Sequence, residues 1–138
     1  MTNLSREVEN DSLQYYFTVG AVLITRPTTW FVGLHSGSGA NESTSAWAAT
    51  EISSTANAYT RPAISWGTLT TGGSMSNSAS VSFPVATGSW GTITHAAIWT
   101  SATYGAGSML FWINTNDITV TSGEQVTIAT GAITLAMT

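Results

Sequence analysis

Acid–base and nucleophilic chemistry in this chain must come from two histidines, seven carboxylates and eighteen serines, because cysteine and lysine are absent. A hydrolase needs a nucleophile, a base and an orienting acid within mutual reach. His95, a neighbouring serine and Glu51 or Asp117 supply the residue types for such a triad. No Gly-x-Ser-x-Gly elbow accompanies them, and with so many serines the combination arises by chance. His95 is more simply a structural histidine bonded to a neighbouring strand. His35, Glu42 and His95 are the available metal ligands, yet their separations match no zinc motif. Calcium needs several oxygens converging on one point. Asp117 and Glu124 stand isolated, and Glu124 in Ser122-Gly123-Glu124 reads as a turn residue. The expectation is a protein that is not an enzyme, with no catalytic residue, metal or cofactor.

The six tryptophans offer a different chemistry, because aromatic faces stack on sugar rings. Trp30, Trp66, Trp99 and Trp112 fall in strand-like segments and Trp90 just before one, where packing is the default role. Trp66, Phe83, Trp90 and Trp99 are the expected core. Phe83 lies on the apolar side of an alternating run, and Pro84 ends regular pairing just after it. Trp47, alone in a long loop, is the candidate exposed platform. Met109 with Phe111 and Trp112 has the composition of a packed subunit interface.

The elements that must position these residues are mostly strands. Apolar residues alternate with Ser or Thr in Ala79–Phe83, Ile118–Val120, Val126–Ile128 and Ile133–Leu135, the pattern of strands with one buried face. Candidate strands are Thr29–His35, Tyr59–Trp66, Ser78–Phe83, Thr92–Thr100, Ser108–Asn114, Ile118–Val120, Gln125–Ala129 and Ala132–Met137. Gly-containing turns such as Thr71-Gly72-Gly73 and Tyr104-Gly105-Ala106-Gly107 separate them. Seven to eight short strands predict a mainly β chain, an antiparallel β-sandwich or a jelly-roll-like barrel. Residues 37–57 show no period and read as a surface loop. Residues 3–19 read as a helix, with Asn3 or Ser5 as cap and Glu7 and Glu9 at its positive end. Leu4, Val8, Tyr15, Tyr16 and Val19 then lie roughly on one face, either packed on their own domain or docked on a neighbouring subunit. The chain divides into an N-terminal helical arm (1–25) and a β-sandwich (26–138) within one domain of 138 residues.

Composition narrows the partners. Only 7% of residues are charged, against about 25% in an average domain. Yet 43% are hydrophobic, so the chain can build a core and covers itself with hydroxyls instead of ions. A surface this neutral suits a protein covered by neighbours, and predicts a homo-oligomer, a trimer. Arg6, Arg26 and Arg61 form no basic stripe, which argues against nucleic acid as a partner. The N-terminal residues are acidic and polar, unlike a secretory signal, and the apolar stretch 17–24 is too short to span a bilayer. No membrane partner is expected.

Several segments, in order, resemble a family of small tailed-bacteriophage virion proteins. Trp30-Phe31-Val32-Gly33-Leu34-His35 is similar to its opening aromatic–Val–x–Leu–hydroxyl-or-His strand. Glu51 followed by Tyr59-Thr60-Arg61 matches its E…Y-x-R element. Asn77-Ser78 followed by Val81-Ser82-Phe83-Pro84-Val85-Ala86-Thr87 matches N-S…V-x-F-P-x-A-T, and Trp90-Gly91-Thr92-Ile93-Thr94-His95 matches W-G-x-V-T-H. Ser122-Gly123-Glu124 and Gly131-Ala132-Ile133-Thr134 resemble its closing pair. The chain departs from the family in its loop 36–50 and in the turn at Tyr104–Gly107.

The resemblance implies a virion component, of a family variously labelled tail fibre or head decoration. It also makes Glu51 the partner of Arg61, either to pin a loop end or as an inter-subunit contact. The leading expectation is a capsid decoration or cement protein, on the outer surface of the particle and made in the host cytoplasm without cleavage. It binds itself and the major capsid protein through Leu4, Val8, Tyr15, Tyr16, Trp47 and Arg61. A single domain with no shaft repeat is the reason for preferring the shell. The alternative is a tail-fibre or tail-tip component that contacts tail proteins or a host surface glycan.

Overall fold

The structure is a computed structural model that describes residues 2–20, 26–39 and 42–136. The 21–25 end of the expected arm and Met137 of the expected last strand lie outside these residues. The elements run β1 (Thr2–Leu4), α1 (Arg6–Phe17), β2 (Trp30–His35), α2 (Thr44–Ala48), β3 (Ala63–Ile64), β4 (Ser74–Ser76), β5 (Val81–Ser82), β6 (Gly91–Trp99), β7 (Met109–Val120), β8 (Thr127–Ile128) and β9 (Thr134–Ala136). One antiparallel sheet, ordered β1-β7-β6-β2-β3, forms the main layer. Two ribbons, β4-β9 and β5-β8, lie over one of its faces. Among the described residues no sheet closes on itself, so the chain is a layered, mainly β protein and not a barrel.

Period-two alternation sends Val32, Leu34, Ala96, Ile98, Phe111 and Ile113 to the face under the ribbons. There they meet Val81, Phe83, Ile133 and Leu135 in one apolar cluster. The expected one-sided strands need correction at the centre of the sheet, because β2 and β6 are buried on both faces. Gly33, His35, Ala97 and Trp99 point the other way and are covered by α2. Near-continuous apolar runs such as Ala96-Ala97-Ile98-Trp99 belong to strands covered on both sides. α2 itself was not expected, since residues 37–57 read as loop. Ser43 caps it by accepting from the Ala46 N–H at 3.3 Å, and Trp47 anchors it to the sheet.

The N-terminal segment also differs from the expected single helix over 3–19. Thr2–Leu4 pairs with Phe111–Ile113 of β7 as the edge strand of the main sheet. Ser5, fully buried, then caps α1 by accepting from the Val8 N–H at 3.2 Å. The Leu4 side chain therefore belongs to the sheet edge, not to a helix face. Strands expected at Tyr59–Trp66 and Gln125–Ala129 shrink to two residues each. Those at Ser108–Asn114 and Ile118–Val120 fuse into β7, broken by a bulge. Between the pairs His95↔Asn114 and Ile93↔Ile118, β7 has three intervening residues where β6 has one.

Phe83 and Trp90 are buried with Tyr59 in an aromatic trio whose ring centroids lie 5.5–6.2 Å apart. Trp66, expected in the core, is only half-buried and packs on the core's rim, where it bridges to Asn77. Phe83→Ala empties a site in the middle of the trio and is expected to cost ~3–5 kcal/mol, read as a shift in urea unfolding. A loss under about 1 kcal/mol contradicts this packing.

Candidate functional site

The E…Y-x-R element assembles in the interior. Arg61 Nε and Nη2 each donate to a Glu51 carboxylate oxygen at 2.6 Å, with both side chains withdrawn from solvent. Arg61 Nη1 donates to the carbonyls of Ser101 and Ala106, both at 2.9 Å. The guanidinium lies 3.9 Å over the ring of Trp99. Tyr59 donates its hydroxyl to Glu51 Oε1 at 3.0 Å and accepts the Leu34 N–H at 2.8 Å. Its phenol thus satisfies a backbone donor of β2 beyond the short pairing with β3 and donates its own proton to the carboxylate. Burial, then the Glu51 charge, pushes the Tyr59 phenol upward in pKa, so it stays protonated.

Two glycines make room for this. A Cβ on Gly33 would sit 2.7 Å from Trp99 Nε1 and 3.2 Å from Glu51 Oε1. Gly107, at φ +80°, closes the turn that brings the Ala106 carbonyl to Arg61.

Next to the ion pair, α2 and the second face of the sheet enclose His35, Trp47, Trp99 and Trp112, with His95 alongside. Trp47 meets the rings of His35, His95 and Trp112 at 5.1, 5.5 and 5.1 Å. Trp99 donates Nε1–H to His35 Nε2 at 3.4 Å, so the His35 proton sits on Nδ1, which faces Thr50 Oγ1 at 3.2 Å. Burial first, then the Arg61 charge, lowers the His35 pKa to about 3. His95 is also lowered by burial, against the opposing pull of Asp117 and Asn114. Both histidines therefore stand as neutral, bonded packing groups. His95 Nδ1 is 2.7 Å from Thr94 Oγ1.

The residues singled out from sequence separate into two groups. Trp47 is fully buried, which removes the exposed platform expected there. The reason is α2, which turns that side chain onto the sheet. Arg61, expected at a partner contact, is 4% exposed and its donors are spent within the chain. Met109 is likewise buried under α2 and not part of an open interface with Phe111 and Trp112. Trp90 lies in the core with Phe83, and Trp99 is buried on the other face of the sheet, under α2. Leu4 and Val8 are half-buried.

Tyr15 and Tyr16 are 68% and 75% exposed, and the face continues into Phe17 at 82% and Leu13 at 61%. No residue of α1 is buried. Phe17 was missed although the signal was present. Three consecutive aromatics, Tyr15-Tyr16-Phe17, point in directions about 100° apart on a helix, so one domain cannot cover them all. Glu124 serves its turn, accepting from Thr121 Oγ1 at 3.0 Å. Among the described residues no three His, Asp or Glu side chains converge as metal ligands. The triad of His95 with Glu51 has no free acid, since both Glu51 oxygens are held by Arg61.

Two expected outcomes follow from this interior. Glu51→Gln or Arg61→Met leaves a buried partner uncompensated and lowers unfolding free energy by ~3–5 kcal/mol, measured in urea. The pH response follows from His35. Its folded pKa lies below the unfolded value of 6.5, so the unfolded state binds the extra proton. Its contribution is complete above pH 6.5 and is lost as pH falls toward 3. The slope is about 1.4 kcal/mol per pH unit. Unfolding at pH 7, 6, 5 and 4 is expected to show this slope, reduced by about that amount in His35→Gln.

No curated protein matches the chain. The family described as podophage GP4 fiber I protein gp80 matches residues 3–136, nearly its whole length. The chain belongs to that phage fibre protein family.

Proposed function

We propose that this protein is a non-enzymatic structural subunit of a phage fibre, which docks on neighbouring virion proteins through the exposed end of α1. The observation that carries the reading is the contrast between the two groups of residues. Glu51, Arg61 and His35 are consumed inside the fold, whereas Leu13, Tyr15, Tyr16 and Phe17 stand free on a helix with no buried residue. Aromatic residues gathered at the uncharged end of a helix have the composition of an assembly contact. The family's description as a fibre protein supports this placement. Self-association as a trimer and contact with tail proteins or a host glycan complete the proposal.

A second reading keeps the chain on the capsid, as a decoration or cement protein on the outer surface bound to the major capsid protein. The low charge favours it, since many weak neutral contacts on a repeating shell add through avidity. Copy number per particle decides between the two, by quantitative mass spectrometry of purified virions. On the order of ten copies places the chain on fibres, and on the order of hundreds places it on the shell. Absence from the particle overturns both.

Replacing Tyr15, Tyr16 and Phe17 together by Ser is expected to leave unfolding free energy within about 0.5 kcal/mol. The same variant is expected to lose incorporation into particles by about tenfold or more. Sedimentation of the wild type and the variant tests whether the same face holds the trimer.

A further inference from the structure

β7 is covered along only part of its outer edge. β1 pairs with Phe111, Trp112 and Ile113, and beyond them no strand lies on that side among the described residues. On its inner side β7 resumes pairing with β6 through Ile118, Thr119 and Val120. The Val120 carbonyl accepts from the Trp90 N–H at 3.0 Å, so Val120 turns its backbone toward β6. By strand alternation Thr119 turns its N–H and C=O outward. No backbone group among the described residues meets them. Native sheets blunt such an edge with charged side chains, Pro, bulges or a covering segment, and of these only the bulge before Ile118 and the single charge of Asp117 are present here among the described residues. Here the edge reads Asn116-Asp117-Ile118-Thr119.

A groove of about 250 Å³ opens beside this edge. Ile113 and Ile118 line one side, and Val126, Ile128 and Ala132 line the other. Ile118 is 40% exposed. Charge adds a third observation. From residue 62 onward the only charged side chains are Asp117 and Glu124. Glu124 is occupied by Thr121, whereas Asp117 has no hydrogen-bond or ion-pair partner among the described residues.

We infer that this edge and groove are a β-augmentation site for an extended segment of another virion protein. That segment carries apolar side chains at alternate positions, which fill the groove, and a Lys or Arg that faces Asp117. Main-chain bonds to Thr119 supply affinity and the groove supplies specificity. A second copy of this chain fits less well. Of its three arginines, Arg61 is buried, Arg6 is in α1 and Arg26 is outside the strands. Pairing β7 with β7 would also bring two Asp117 carboxylates together. The inference rests on the reading of the chain as an assembled virion subunit. Copy number tests that reading and the experiment below tests this one, so either can fail alone.

The probe is a short peptide of alternating valine and threonine with one central lysine, titrated into the full chain. A scrambled peptide of the same composition and a glutamate version are the controls. The lysine peptide is expected to slow amide exchange of Thr119 by about tenfold or more. The scrambled peptide leaves it unchanged. Asp117→Lys is expected to weaken the lysine peptide by about tenfold and to reverse the preference toward the glutamate peptide at low salt. Ala132→Trp fills the groove from an exposed position and weakens both peptides by a similar factor, about tenfold. The inference is overturned if Thr119 exchange is unmoved, if the scrambled peptide binds equally, or if neither substitution changes affinity. Protection of Thr119 in a peptide-free dimer also overturns it, because a second copy then occupies the edge.

Discussion

The buried pair of Glu51 and Arg61 constrains everything around it. Taking two charges out of water is costly, and the cost is offset only when geometry and hydrogen bonding are complete. Here the guanidinium meets both carboxylate oxygens and two carbonyls and lies on the Trp99 ring. Each contact fixes a different part of the chain. The carbonyls belong to the turn after β6, Trp99 belongs to β6 itself, and Glu51 follows α2. Tyr59 adds the edge of β2 through the Leu34 N–H. One ion pair thus ties together segments 40 or more residues apart, and Gly33 must stay without a side chain to admit it.

The same constraint explains the neutrality of the second sheet face. Arg61 sits close enough to disfavour a second positive charge at His35, and burial disfavours it further. The imidazole therefore serves as an uncharged link between Trp99 and Thr50 beneath α2. α2 is also tied to α1, since Glu7 accepts the Thr44 N–H at 2.9 Å. Although α1 buries none of its residues, its first turn is held to the body of the protein through this bond and the Ser5 cap. Its other end carries the exposed aromatics.

Interior and surface thus divide the work. Glu51, Arg61 and His35 are satisfied inside and stabilise one arrangement of loops. What remains outside has few charges and is rich in hydroxyl, amide and aromatic groups, a composition suited to contacts of extended area and little charge.

The β class, the family and the pairing of Glu51 with Arg61 were legible along the chain, because they depend on local alternation and on motifs. The run Trp90–His95 and the E…Y-x-R element carried most of that information. Which residues face solvent was set by long-range packing. Trp47 looked exposed because its loop has no period, yet a single turn of helix, too short to leave a periodic signal, folds it onto the sheet. Arg61 looked available to a partner, but pairing across ten residues spends its donors internally. Leu4 looked helical, and strand pairing with β7, over a hundred residues away, overrode that local preference. The open edge of β7 was invisible for the same reason. Whether a strand has a neighbour on each side is a property of long-range pairing, not of its own residues.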